Sequence, residues 1–181
     1  MAGGVAAALA PSVPAFAAEG DSRSMPQGGP PNIVLLIGDD IGKINVGCYG
    51  CPVKTPNIDR LAARGVKFEN AFATAASCAP SRTSIYSGHY PHEVGMHDHD
   101  LPLPEGVDIM PTYLKQAGYH CGHIGKLHLG PNGDKQWDKY YQDCADVDRF
   151  LEDRPKDRPF LLSVGFTEAH MPYTLGPRTP P

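Results

Sequence analysis

The sequence lacks an excess of positive charge, a long apolar run and any internal repeat. Sixteen Lys and Arg stand against twenty Asp and Glu, for a net charge of -4 over 181 residues. With no basic stripe, a nucleic-acid surface is not expected. No apolar run approaches the roughly 18 residues that a membrane-spanning helix requires. Charge is missing altogether from Met1 to Ala18, a stretch rich in Ala, Pro and Gly. Its Ala15-Phe16-Ala17 fits the small-x-small pattern of a signal-peptidase site, but it has no basic n-region, and Pro11 and Pro14 interrupt it. We read it as an export signal whose true start is missing, against the plainer reading of a disordered leader. Export places the chain in the periplasm or outside the cell. Glu19 to Pro31 reads as a flexible linker, so residues 1–30 are leader and linker and 31–181 are the folded part.

Zinc-type cysteine spacing is also missing. Cys48-Tyr49-Gly50-Cys51 has C-x-x-C spacing, but no second pair follows, so two cysteines in a Gly-containing loop is the better reading. The remaining three are Cys78, Cys121 and Cys144, and an odd total leaves at least one thiol without an internal partner.

What is present is an alternation. Ile33 to Ile37 is a short, β-branched-rich apolar run that suits a buried strand, and it stops at Gly38-Asp39-Asp40. Thr55-Pro56 offers a helix N-terminus, with Ile58, Leu61 and Ala62 on one face and Gly65 as the stop. Val66 to Ala73 reads as a second strand. A short helix is expected just after Cys78, ending at Gly88, and another over about Asp108 to Gln116 with Ile109, Tyr113 and Leu114 inward. Tyr119 to Ile124 reads as a strand, Cys144 to Glu152 as a helix, and Phe160 to Phe166 as the last strand.

Strands alternating with helices imply a parallel sheet covered on both faces, an α/β/α sandwich. In such folds the ligand site lies outside the carboxyl ends of the strands. Three of the apolar strands end in ionisable residues: Asp39 and Asp40, then Lys126 and His128, then His170. Adjacent carboxylates repel unless a cation lies between them, and hard cations take such oxygens, although a solvated Asp-Asp turn is the plainer alternative. Cys78 lies at a helix N-terminus, where free N–H groups favour an anion, and Arg82 one turn on adds a charged fork. A thiolate nucleophile and a buried inert cysteine both fit that placement. In an extended chain Lys126 and His128 point the same way and would supply a cation for an oxyanion and an imidazole for a proton. His170 adds a second acid or base. The His97-Asp98-His99-Asp100 run looks like a metal-ligand cluster, but a polar loop at the substrate entrance is the preferred reading.

Cys78-Ala79-Pro80-Ser81-Arg82 resembles the C-x-P-S-R signature of the sulfatases. Pro31 to Asp40 is similar to their first strand and metal loop, and Lys54 to Ala62 to the helix that follows. Gly125-Lys126-Leu127-His128 resembles their G-K-x-H element and His170-Met171-Pro172 their later His-x-Pro. The resemblance implies an alkaline-phosphatase-like α/β/α fold, a divalent cation (Ca²⁺, or Mg²⁺), and conversion of Cys78 to formylglycine by a maturation enzyme. In the aldehyde hydrate one hydroxyl attacks sulfur, and the other later loses its proton and expels sulfate as the aldehyde re-forms. Asp39, Asp40 and position 78 would bind the cation, Arg82 and Lys126 the hydrate and the sulfate oxygens. His128 would be the base that expels sulfate, and His170 would assist departure of the alcohol or amine. The region from Ser77 through Met96-His97 is most similar to heparan N-sulfatase (sulfamidase) and its bacterial relatives, which implies an N- or O-sulfated sugar as substrate.

The later Asp-Asn ligands and second lysine of that family have no counterpart before Thr179-Pro180-Pro181. The expectation is therefore the N-terminal part of a catalytic domain, with a truncated sheet and half a metal site, inactive and poorly stable alone. A phosphonate monoester or phosphodiester hydrolase of the same superfamily, and a non-catalytic fragment, are the alternatives.

Overall fold

The computed structural model describes residues 29–171, so the leader and Pro172 lie outside the described residues. Four strands form one sheet: β1 (Ile33–Gly38), β2 (His120–Gly125), β3 (Lys139–Tyr141) and β4 (Phe160–Phe166). Their order is β1-β4-β2-β3 and every pairing is parallel. Parallel neighbours require crossovers, and the helices supply them. These are α1 (Pro56–Arg64), α2 (Cys78–Ser87), α3 (Met110–Gln116), α4 (Pro131–Asp134) and α5 (Val147–Asp153).

The two central strands explain the packing. β4 and β2 carry no Asp, Glu, Lys or Arg and are buried on both faces, with His120 and His123 of β2 among the buried polar residues. One face carries Cys121 and Leu161, which pack with Ala79 and Tyr86 of α2 and with Ile109 ahead of α3. On the other face, Ile124, Leu162 and Val164 pack against Phe150 of α5. Helices therefore cover both faces, giving the three layers expected. Tyr86 reaches through its layer to Ser163 of β4, the two hydroxyls 2.8 Å apart, so neither buried oxygen is left unpaired. β1 is different. Ile33, Leu35 and Ile37 join the first core, but Val34 and Leu36 on its other face are more than half exposed.

Several expectations need correction. Residues 66–73 form no strand: no described strand pairs with them, and an unpaired strand has nowhere to place its backbone groups. Ile58 and Leu61 do share a face of α1, but that face is exposed, as is Tyr113 of α3. Thr55 precedes α1 without capping it: its hydroxyl donates to Asp59 and accepts from the Gly47 N–H. The helix read from Cys144 begins as a 3₁₀ turn over Cys144–Asp146, capped by Asp143, before α5 starts. Neither α4 nor β3 was expected.

Candidate active site

Parallel register brings the carboxyl ends of β1, β4 and β2 side by side, with Gly38 opposite Phe166 and Gly125 opposite Gly165. The three ionisable clusters read from the sequence leave from those ends. Topology makes them neighbours although they are up to 131 residues apart in the chain, from Asp39 to His170.

Asp39 is the centre of the arrangement. It is 6% exposed, and Lys126 Nζ donates to its Oδ2 at 2.5 Å. Arg82 Nη2 approaches its Oδ1 at 3.5 Å. Burial alone would raise the Asp39 pKa. The hydrogen bond from Lys126 and the charges of Arg82 and Lys126 outweigh it, so the carboxyl titrates below its ordinary range.

Arg82 is buried, which demands partners. Nη1 donates to the Lys126 carbonyl at 2.5 Å, tying α2 to the turn after β2. Nη2 has the ion contact to Asp39 but no hydrogen-bond partner among the described residues. Such a donor is costly to leave unmet, and an anion in the adjoining cavity would meet it. Two glycines make the approach possible. A side chain on Gly165 would sit on the Lys126 carbonyl, and one on Gly125 (φ 78°) on the Gly165 carbonyl.

Cys78 is the first residue of α2, with Ser77 in the extended N-cap position but making no side-chain cap. Free N–H groups therefore face the space where its side chain projects. A cavity of about 260 Å³ is lined by Asp39, Asp40, Ser77, Cys78, Ser81 and Arg82. A second, of about 560 Å³, is lined by Lys126, Tyr140, Thr167 and Glu168 among others.

The oxygen donors suit a hard cation as far as they go. Asp39 and Asp40 share one cavity with position 78, and Asp40 is held exposed in the left-handed conformation at φ 56°. Two carboxylates and one further oxygen are part of the six to eight that Ca²⁺ takes, so these residues fit as one side of such a site.

The chain is not extended between Lys126 and His128, because His128 has φ 62°. Leu127, between them, is buried in the core. His128 is still beside the site: burial first, then the charges of Lys126, His99 and Arg82, lower its pKa and keep the ring neutral. His170 lies in the turn after β4, its Nδ1 hydrogen-bonded to the Met171 carbonyl at 2.5 Å.

His99 was not among the candidate residues, although the run containing it stood out. Its Nε2 lies 3.0 Å from Cys78 Sγ. Only its place in a His-Asp-His-Asp run marked it, and nothing in the spacing says which of the two histidines turns inward. Cys48 and Cys51 lie in turns around Gly50 (φ 94°), and all five cysteines are free.

Comparison with known proteins bears on the family and the fold. The Sulfatase family model matches residues 31–146. The chain is 42% identical over 106 residues to an N-acetylgalactosamine-6-O-sulfatase of Bacteroides thetaiotaomicron, covering 55% of the chain and 21% of that protein. It is 35% identical over 162 residues to human N-sulphoglucosamine sulphohydrolase, covering 78% of the chain and 32% of that protein. It thus spans only about a fifth to a third of the length of these relatives. Among solved structures, BT4656 in complex with its substrate D-glucosamine-2-N,6-O-disulfate superposes with a TM-score of 0.68 and 29% identity, over 75% of this chain and 34% of that one. The phosphonate monoester hydrolase of Agrobacterium radiobacter shares the fold, with a TM-score of 0.62 at 17% identity over 76% of this chain and 40% of that one. With the family model spanning most of the described residues and the parallel sheet superposing on its solved members, this chain belongs to the sulfatase family.

Proposed function

We propose that this chain is the N-terminal part of an exported enzyme that hydrolyses sulfate esters or N-sulfamates of sugars. The observation that carries the reading is the buried Arg82–Asp39–Lys126 cluster beside Cys78, with an Arg82 N–H that lacks a hydrogen-bond partner among the described residues. That unmet donor and the Lys126 ammonium suit two oxygens of a sulfate. The sugar assignment leans on relatives whose names specify sulfated amino sugars.

When formed by the maturation enzyme, the formylglycine hydrate at position 78 supplies the attacking hydroxyl. When bound at Asp39, Asp40 and position 78, a divalent cation, Ca²⁺ or Mg²⁺, supplies positive charge for the sulfate oxygens. Arg82 and Lys126 hold those oxygens, and Asp39 fixes both cations in place by accepting from one and pairing with the other. His128, kept neutral by burial, removes the proton at position 78 as sulfate leaves. His170 binds the substrate beside Lys126 and donates a proton to the departing alcohol or amine.

The test uses a complete protein made with the maturation enzyme, with peptide mass read across Cys78. Cys78→Ala is expected to lower turnover about a thousandfold or more, as loss of a nucleophile does. An unmodified thiol in fully active protein would overturn the mechanism. Paired aryl sulfate and aryl phosphonate assays separate this reading from a phosphonate hydrolase, and faster phosphonate turnover would favour the latter. Residues 1–181 alone carry one side of the cation site and are expected to show no sulfate-ester turnover.

A further inference from the structure

The run at residues 97–100, read from the sequence as a polar loop, delivers a side chain to position 78. His99 Nε2 is 3.0 Å from Cys78 Sγ, while its Nδ1 is 3.0 Å from Asp100 Oδ1. The His99 ring meets His128 edge-on, with centroids 4.6 Å apart. Cys78, His99 and His128 each present one ligand atom, and the three atoms lie within 4.8 Å of one another. His128 Nδ1 is buried without a hydrogen-bond partner among the described residues.

We propose that Cys78, His99 and His128 form a binding site for a thiophilic transition-metal ion of the Zn²⁺ class in the chain whose Cys78 is still a thiol. One sulfur and two imidazoles are a zinc-type donor set, whereas Ca²⁺ and Mg²⁺ take oxygens, so this site differs in chemistry from the Asp39–Asp40 site and shares only position 78 with it. Asp100 provides the outer contact such sites use. It accepts the Nδ1–H of His99 and aims the Nε2 lone pair at the ion. Tetrahedral geometry at ordinary Zn–S and Zn–N lengths separates sulfur from nitrogen by roughly 3.5 Å. The present 3.0 Å contact need open only slightly, by movement of a half-exposed ring on a loop. The fourth position is left for water.

Binding transfers no electrons. The Cys78 thiol gives its proton to solvent as the sulfur–metal bond forms. The charges of Arg82 and Lys126 oppose a dication, but Asp39 already pairs with both, and the thiolate and Asp100 bring negative charge of their own. Oxidation of Cys78 to the aldehyde removes the sulfur, so soft-metal binding and maturation exclude each other at this residue.

The test takes the full chain from a host without the maturation enzyme, its thiol confirmed by mass, and titrates it with Co²⁺ under excess Ca²⁺. One equivalent is expected to bind, with near-ultraviolet thiolate-to-cobalt absorption and visible bands of four-coordinate cobalt, both erased by Zn²⁺. Cys78→Ser should abolish the charge-transfer band. His99→Ala and Asp100→Asn should each weaken binding by about 10- to 100-fold. Zn²⁺ should also shield Cys78 from iodoacetamide in the parent chain and not in His99→Ala. His99 and Asp100 lie on an exposed loop, so these variants keep the fold, and circular dichroism checks that they do. A band that survives Cys78→Ser would place the metal at Cys48 and Cys51 and overturn the proposal. Unchanged affinity in His99→Ala, or no band at any Co²⁺ concentration the chain tolerates, would do the same.

Discussion

Two stretches of the chain meet at Cys78 and differ in how they bury apolar surface. Between residues 41 and 77, Ile44, Val66, Phe68 and Phe72 are 83, 80, 67 and 88% exposed. Between residues 78 and 166, Tyr86, Ile109, Ile124, Leu127, Phe150 and Leu161 are all essentially buried. The second stretch owns three of the four strands, so its helices have sheet faces to cover. The first owns α1 and turns, and α1 packs mainly on the turn at residues 47–49 of the same stretch rather than on the sheet. The difference divides the active site. Arg82 and Lys126 stand on packed elements, while Asp40 is exposed at the edge of the stretch that is not packed.

The largest test of that contrast is a pair of truncations. Phe150→Ala should cost about 3–5 kcal/mol of stability, the range for emptying a buried aromatic site. Phe72→Ala should stay within about 0.5 kcal/mol, as exposed positions do. Urea midpoints decide it, and equal losses would mean that the two stretches are packed alike. Next in size, Gly165→Ala forces a methyl onto the Lys126 carbonyl and should cost about 1–3 kcal/mol through overpacking. In a complete protein the same change should lower turnover, because the Lys126 carbonyl is what anchors Arg82.

Tyr86→Phe leaves the Ser163 hydroxyl buried and alone, at about 1–3 kcal/mol. The pH dependence should be gentler. His123 is fully buried among Tyr86, Trp137 and Tyr140, and burial pushes its pKa down to about 4. The unfolded chain takes up this proton near pH 6.5 and the folded chain only near 4, so between those values the unfolded state binds more protons. Stability is therefore expected to fall as pH drops from about 6.5 to about 4. His123→Leu should flatten that slope in urea titrations at several pH values. Smallest of all, Lys67→Ala removes an exposed partner of Glu69 and should leave the urea midpoint unmoved, and more so in high salt.

The legible elements are those whose apolar residues pack on a neighbour. β4 was readable to the residue, and β1 and β2 to within one, because each is a short stretch free of Asp, Glu, Lys and Arg and closed by a polar residue. Residues 66–73 carry a strand-like alternation at Val66-Lys67-Phe68-Glu69 and form no strand, since pairing is a property of two segments and not of one. α4 and β3 were missed for the opposite reason: they are four and three residues long, too short for any periodicity to show. In the site, Cys78, Arg82, Lys126, His128, His170 and the Asp pair announced themselves as polar residues stopping apolar strands or opening a helix. His99 did not, because a loop has no period from which to infer which side chain turns inward.

By itself the sequence determined that the chain alternates strand and helix, that ionisable residues end its strands, and that a cysteine and an arginine share the first turn of one helix. Local chemistry suffices for these, because each depends on residues a few positions apart. Only the tertiary structure decided that Asp39 lies between Arg82 and Lys126, that one Arg82 N–H is unmatched among the described residues, and that His99 reaches Cys78. Those relations join distant segments, and strand order with the close approach of Gly125 and Gly165 sets their distances.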